Sequence, residues 1–169
     1  MTAQLLAAGT WTVSDSRTQV TFSVGNLGRR AHGSVACSWG ELRLDADGRP
    51  AAVRAELDLD SLDTGIAKRD RDLRKPRFLD IDRNPAMIWT ADRFSSGDDG
   101  SWTAEGVLSV RGTSAPLTVV GTPEQEGPWL RVRASGELDR TAVGIRAPSW
   151  LIGRTVRIDV EAWLTPAAP

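Results

Sequence analysis

The chain has 169 residues, 21 Lys/Arg against 22 Asp/Glu and a net charge of −1, enough for one domain with a sizeable core and no bulk reason to expect nucleic acid. One Cys (Cys37) excludes an internal disulfide, and with only one His (His32) beside it the usual zinc spacings are excluded, so no metal site is expected. Residues 1–9, MTAQLLAAG, lack a basic leader region, and Leu5–Ala8 is too short for a signal core or a membrane span. They read as a disordered tail ahead of one domain at 10–165, and the chain as cytoplasmic.

In chain order, Gly9–Ser14 reads as a short strand carrying Trp11, followed by a turn at Asp15–Arg17. Thr18–Val24 alternates, with Val20, Phe22 and Val24 on one face. Gly25–Arg30 reads as a loop. Ala31–Leu44 is a long strand with a bulge or bend expected at Gly33 and Gly40. Asp47-Gly48 is a hairpin signal. Ala52–Asp60 opposes Val53, Ala55, Leu57 and Leu59 to Arg54, Glu56, Asp58 and Asp60.

Alternation then stops. Between Lys68 and Arg83 seven Lys/Arg stand against four Asp, a net charge of +3. Ala67–Lys75 has no Gly, Pro or β-branched residue and predicts a short helix, capped by Asp63 or Thr64 and stopped by Pro76. Lys68–Asp72 and Asp70–Arg74 are i,i+4 pairs, and Leu73, Phe78 and Leu79 are its candidates for facing inward. Usually such a basic run is a solvated helix; it can also form a rim that pairs with a phosphate or carboxylate headgroup.

Strand character returns at Ala86–Phe94, Trp102–Arg111, Leu117–Gly121, Leu130–Leu138 and Arg154–Leu164. The spacers are turns at Ser95–Gly100, Gly112–Pro116 and Pro123–Pro128, and an irregular stretch at Ala142–Gly153 holding Ile145, Trp150 and Leu151. About eight or nine one-sided strands joined by short turns predict an all-β fold: a sandwich or, given the strand lengths, a single extended antiparallel β-barrel with one short inserted helix. Small residues on the inward faces, such as Ala55, Ala104, Gly106, Ala134 and Gly136, fit either close packing or an apolar cavity. Seven Trp and three Phe with no Tyr read first as core filling.

Motifs for chemistry are sparse. There is no GxSxG, GxGxxG or P-loop, so no cofactor is expected. Asp80–Asn84 opens like a calcium loop, but Pro85 stands where Gly is needed and Ala91 where Glu is needed. Asp58, Asp60, Asp63 and Asp70 leave a small carboxylate enzyme as one alternative, and a ligand-free structural or interaction module is another.

Three blocks together resemble the signature of the YceI-like family. The first is Ser61-Leu62-Asp63-Thr64-Gly65 with Arg69-Asp70, Leu73, Phe78-Leu79-Asp80 and Asn84-Pro85. The second is Gly106–Thr113. The third is Leu138-Asp139-Arg140 with Gly144-Ile145 and Ile152-Gly153. The family usually has a His-Ser pair where this chain has Arg17-Thr18. The resemblance implies a lipocalin-like barrel whose apolar interior binds, stores or transports a polyisoprenoid or similar long-chain lipid, without catalysis and often as a homodimer. The residues expected to line such an interior are Phe22, Val24, Leu57, Leu59, Met87, Trp89, Leu108 and Val110, then Leu117, Val119, Leu138, Ile158 and Val160. Phe78 and Ile145 are expected at the mouth. Arg69, Asp70, Arg74 and Arg140 are expected in structural or headgroup roles, with Asp70 accepting and Arg140 donating.

Overall fold

The structure is a computed structural model that describes residues 6–26, 28–145 and 152–167. Its strands are β1 (Gly9–Val13), β2 (Gln19–Asn26), β3 (Arg29–Leu44), β4 (Pro50–Asp63), β5 (Ala86–Ser96), β6 (Trp102–Val110), β7 (Thr113–Glu126), β8 (Trp129–Asp139) and β9 (Ile152–Pro166). A helix, α1 (Ala67–Leu73), follows β4, and a 3-10 turn (Arg140–Val143) follows β8.

Neighbouring strands pair antiparallel, and β2–β9 and β3–β4 contacts close the sheet into an eight-stranded antiparallel barrel. β1 and β2 share one place in it, both lying between β3 and β9: β1 meets Glu41–Leu44 and β2 meets Arg29–Val35. Among the described residues every strand pairs on both sides over at least part of its length, so closure leaves no whole strand as a free edge.

The bulge in β3 falls at Ser38–Trp39, between the Cys37–Leu57 and Trp39–Glu56 pairs, rather than at Gly40. It flips the side-chain phase. Val35 and Cys37 face in before it, Gly40 and Leu44 are buried after it, and Trp39 is left 41% exposed. At Gly33 the ladder is regular; a Cβ there would stand 2.3 Å from Phe22 Cζ, so the missing side chain makes room for the ring. β4 changes phase too, between Asp58 and Asp63, which brings Leu62 inward to line a cavity.

Several expected turns are tighter than the sequence suggested. β2 runs to Asn26 and β3 starts at Arg29. The β6–β7 turn is Arg111-Gly112, both with positive φ (54° and 73°), as the tightest hairpins require, so Pro116 lies within β7. β7 likewise continues through Pro123 to Glu126 and turns at Gly127-Pro128. Of the irregular stretch, residues 146–151, including Trp150 and Leu151, lie outside the described residues, as do residues 1–5 of the expected tail. Leu6 packs against the buried cluster of Trp11, Leu44, Leu130 and Leu164, and Ala7 accepts a 3.0 Å hydrogen bond from Trp11 Nε1.

Helix α1 ends at Leu73, two residues short of the expectation, and no side chain caps its start. Asp63 instead bonds the Gly65 amide at 2.8 Å. The i,i+4 pairs do not form: Asp72 pairs with Lys75 at 2.9 Å, and Arg74 with Asp60 and Asp82 at 2.8 and 2.9 Å. Carboxylates on the strand end and the following loop outcompete those on the helix for Arg74. Among the described residues no helix is long and apolar enough to cross a membrane.

Candidate functional site

Inward faces of the strands enclose two cavities stacked along the barrel. The upper one, about 380 Å³, lies beneath the insert that joins β4 to β5. The lower one, about 200 Å³, lies toward the opposite end. Both walls are almost wholly apolar, and the upper volume is of the size that small-molecule sites usually have.

The upper cavity takes Phe22 and Val24 from β2, Leu57 and Leu59 from β4, Met87 from β5 and Leu138 from β8. Ile158 from β9, Phe78 from the insert and Ile145 complete the expected residues there. The lower cavity takes Trp89, Leu108, Leu117, Val119 and Val160, and again Leu57, Met87 and Ile158. Val110 is a correction: it is 1% exposed and packs in the core, lining neither cavity.

Other lining residues were not singled out from the sequence. Val20 shares its face with Phe22 and Val24, so the alternation already pointed to it. Leu62, Cys37 and Val132 could not be chosen without knowing where the bulges fall or how far the cavities extend. Trp102 closes part of the lower wall, whereas Trp129 and Trp163 lie on the outside with the Arg17 guanidinium between them. Core filling therefore describes Trp11 but not the whole set.

The insert covers the upper cavity and is fixed by its own polar groups. Asp70 Oδ1 accepts from the Thr64 amide at 3.0 Å and from Thr64 Oγ1 at 2.5 Å. Arg69 donates to Thr64 Oγ1 and to the Thr64 carbonyl, both at 2.8 Å. Arg111, on the β6–β7 turn, donates to the Phe78 carbonyl. Beneath these, Leu79 and Ile81 are 6% and 1% exposed and anchor the segment; Ile81, between two aspartates, did not stand out in the sequence.

Arg69, Arg77 and Arg140 line the upper cavity together with Asp72 and Thr64. Arg140 is 3% exposed, and donates to the Gly153 carbonyl from Nε and to the Ile145 carbonyl from its terminal nitrogen, both at 2.9 Å. It holds the chain on either side of the 146–151 stretch to the barrel. Arg74 and Asp70 are not on the cavity wall. Asp72 is held below the usual carboxylate range, first by its bond from Lys75 and then by surrounding cations. In the lower cavity the Cys37 thiol is pushed up, mainly by burial, although it donates to the Trp39 carbonyl at 3.3 Å.

This arrangement can hold an apolar chain out of water and present guanidinium groups at one end. No group of three or more His, Cys, Asp or Glu that could hold a metal occurs among the described residues.

Comparison with known proteins agrees with the architecture. The family model described as a YceI-like domain matches residues 11–164. A UPF0312 protein of Pseudomonas savastanoi pv. phaseolicola is 28% identical over 151 residues, covering 84% of this chain and 78% of the relative. One from Yersinia enterocolitica is 32% identical over 92 residues, about half of each chain (52% and 47%). The fold is similar to that of Burkholderia cenocepacia BcnA, with a TM-score of 0.80 at 14% identity, covering 89% of this chain and 98% of that one. It is also similar to a polyisoprenoid binding domain from Saccharophagus degradans, with a TM-score of 0.68 at 11% identity, over 93% and 98%.

Proposed function

Because the chain belongs to the YceI-like family, we propose that it binds, stores or transports a polyisoprenoid or similar long-chain amphiphile inside the barrel, without catalysing a reaction on it. The observation that carries this is the pair of stacked apolar cavities of about 380 and 200 Å³ under a polar-pinned insert. Each CH₂ taken out of water contributes about 0.8 kcal/mol. A few isoprene units therefore reach micromolar affinity after association costs of several kcal/mol. The tail points down the barrel, and a phosphate or carboxylate head sits at the rim by Arg69 and Arg77.

A carboxylate enzyme is less well supported. Asp58 bonds the Asp60 amide, Asp60 pairs with Arg74, Asp63 bonds the Gly65 amide and Asp70 bonds Thr64. None of the four lines either of the two interior cavities. The homodimer and the cytoplasmic setting belong to the same proposal. For the first, Val107 and Val120 are 45% and 44% exposed on the outer face of β6 and β7. Sedimentation and cell fractionation test these two.

The main test is native mass spectrometry of protein purified from cells, with solvent extraction of what it carries, followed by titration of delipidated protein with a prenyl quinone. A bound long-chain lipid, or uptake that quenches Trp fluorescence through Trp89 and Trp102, is the expected result. With neither, the barrel is a ligand-free module.

A further inference from the structure

Four side chains line both cavities: Val20, Leu57, Met87 and Ile158. Leu57 and Met87 are cross-strand partners on β4 and β5. Val20 and Ile158 come from the adjacent strands β2 and β9, separated from that pair by β3 on one side and by β6–β8 on the other. These two pairs, from separate parts of the wall, stand where the two compartments meet. Val20 and Ile158 are β-branched and stiff at χ1. Met87 is unbranched, with three rotatable bonds, and so moves aside at least cost. Below, Trp11, Leu130 and Leu164 pack at 3%, 0% and 3% exposure and close the floor.

We propose that these four side chains form a waist between the compartments, by which the protein reads the length of its ligand's apolar chain. A short chain fills the upper cavity alone. A longer one displaces Met87 and enters the lower cavity, and length beyond both compartments adds nothing. This rests on the lipid-binding reading above and deepens it.

Taking each chain carbon at roughly the ~30 Å³ that one water occupies in the liquid, the upper cavity holds on the order of a dozen carbons and the lower about half as many. Each carbon buried past the waist is worth about 0.8 kcal/mol, or about fourfold in affinity. Filling the lower cavity therefore outweighs the cost of moving one methionine.

The test uses the full, delipidated chain and a series of geraniol, farnesol, geranylgeraniol and a longer polyprenol, with affinities from calorimetry. Affinity is expected to rise through geranylgeraniol and then level off. Met87→Phe narrows the waist, and Ala134→Leu fills the lower cavity, which Ala134 lines. Each is expected to lower the ratio of geranylgeraniol to geraniol affinity by about tenfold or more. A wild-type affinity that is flat across the series, or that keeps climbing beyond geranylgeraniol, overturns the proposal. So does an unchanged ratio in both variants with their melting temperatures intact. Absence of binding by every prenol would instead overturn the lipid-binding reading, and this proposal with it.

Discussion

The Trp89 indole occupies the space that a side chain at Gly106 would fill: a Cβ there would stand 2.3 Å from Trp89 Nε1 and 2.7 Å from the Thr90 carbonyl oxygen. The ring crosses from β5 over β6, and its Nε1 donates to the Leu117 carbonyl on β7 at 3.0 Å. One aromatic side chain thus spans three strands inside the barrel, and the absence of a side chain at Gly106 is what admits it.

Gly106→Ala should therefore displace Trp89 rather than fill a hole. The expected cost is about 1–3 kcal/mol in urea unfolding, the usual range for overpacking. The same variant should shift the Trp emission as the indole loses its carbonyl partner. A variant as stable as the wild type, with unchanged emission, would contradict the close approach.

Arg140→Met and Asp70→Asn should differ sharply. Arg140 is buried, and its loss leaves the Gly153 and Ile145 carbonyls without their donor. Roughly 2–4 kcal/mol of stability should go, in line with buried acceptors left unsatisfied. Asn at position 70 keeps an acceptor for Thr64 at a partly exposed site, so its cost should stay below about 1 kcal/mol. Urea denaturation of the two variants decides it, and equal losses would count against this assignment.

Cys37 should be inert to thiol reagents in the folded protein and react at once in denaturant. Burial raises its pKa above the ordinary 9.0. A thiol whose folded pKa is raised holds its proton more tightly when folded. Its contribution to stability is complete below the unfolded value and declines as pH rises through it, toward the folded one. Stability should thus fall on the alkaline side above about pH 9, and Cys37→Ala should flatten that fall. Denaturation midpoints measured across that window check the sign.

Arg17→Ala should loosen the turn between β1 and β2. Its guanidinium carbon lies 4.2 Å from the Trp129 ring centroid and 4.4 Å from that of Trp163, and the two rings meet edge to face 6.3 Å apart. Two surface cation–π contacts are together worth about 1–2 kcal/mol. Thermal melts of Arg17→Ala and Arg17→Lys measure it, and the lysine variant should recover part of the loss.

The sequence by itself determined an all-β chain of one-sided strands around a common interior, and most of the residues that wall it. In β4, Val53, Ala55, Leu57 and Leu59 had to face one way because side chains alternate along a strand, and so many one-sided strands must close on a common interior. It also marked the insert, because the alternation fails there. Tertiary structure alone decided what the interior leaves empty. Gly106 and Ala134 look alike in a pattern of small inward residues, yet the first is covered by Trp89 and the second lines a cavity. Which neighbour leans over a small residue depends on cross-strand register and on bulges such as Ser38–Trp39, and these are set by pairing between segments far apart in the chain. The same holds for Arg74, whose charge fits a helix pair by spacing but goes to Asp60 and Asp82 once the insert folds back onto the barrel end. Between bulges, local pattern fixes which way a side chain points; where the bulges fall and what each side chain meets are fixed only by the closed barrel.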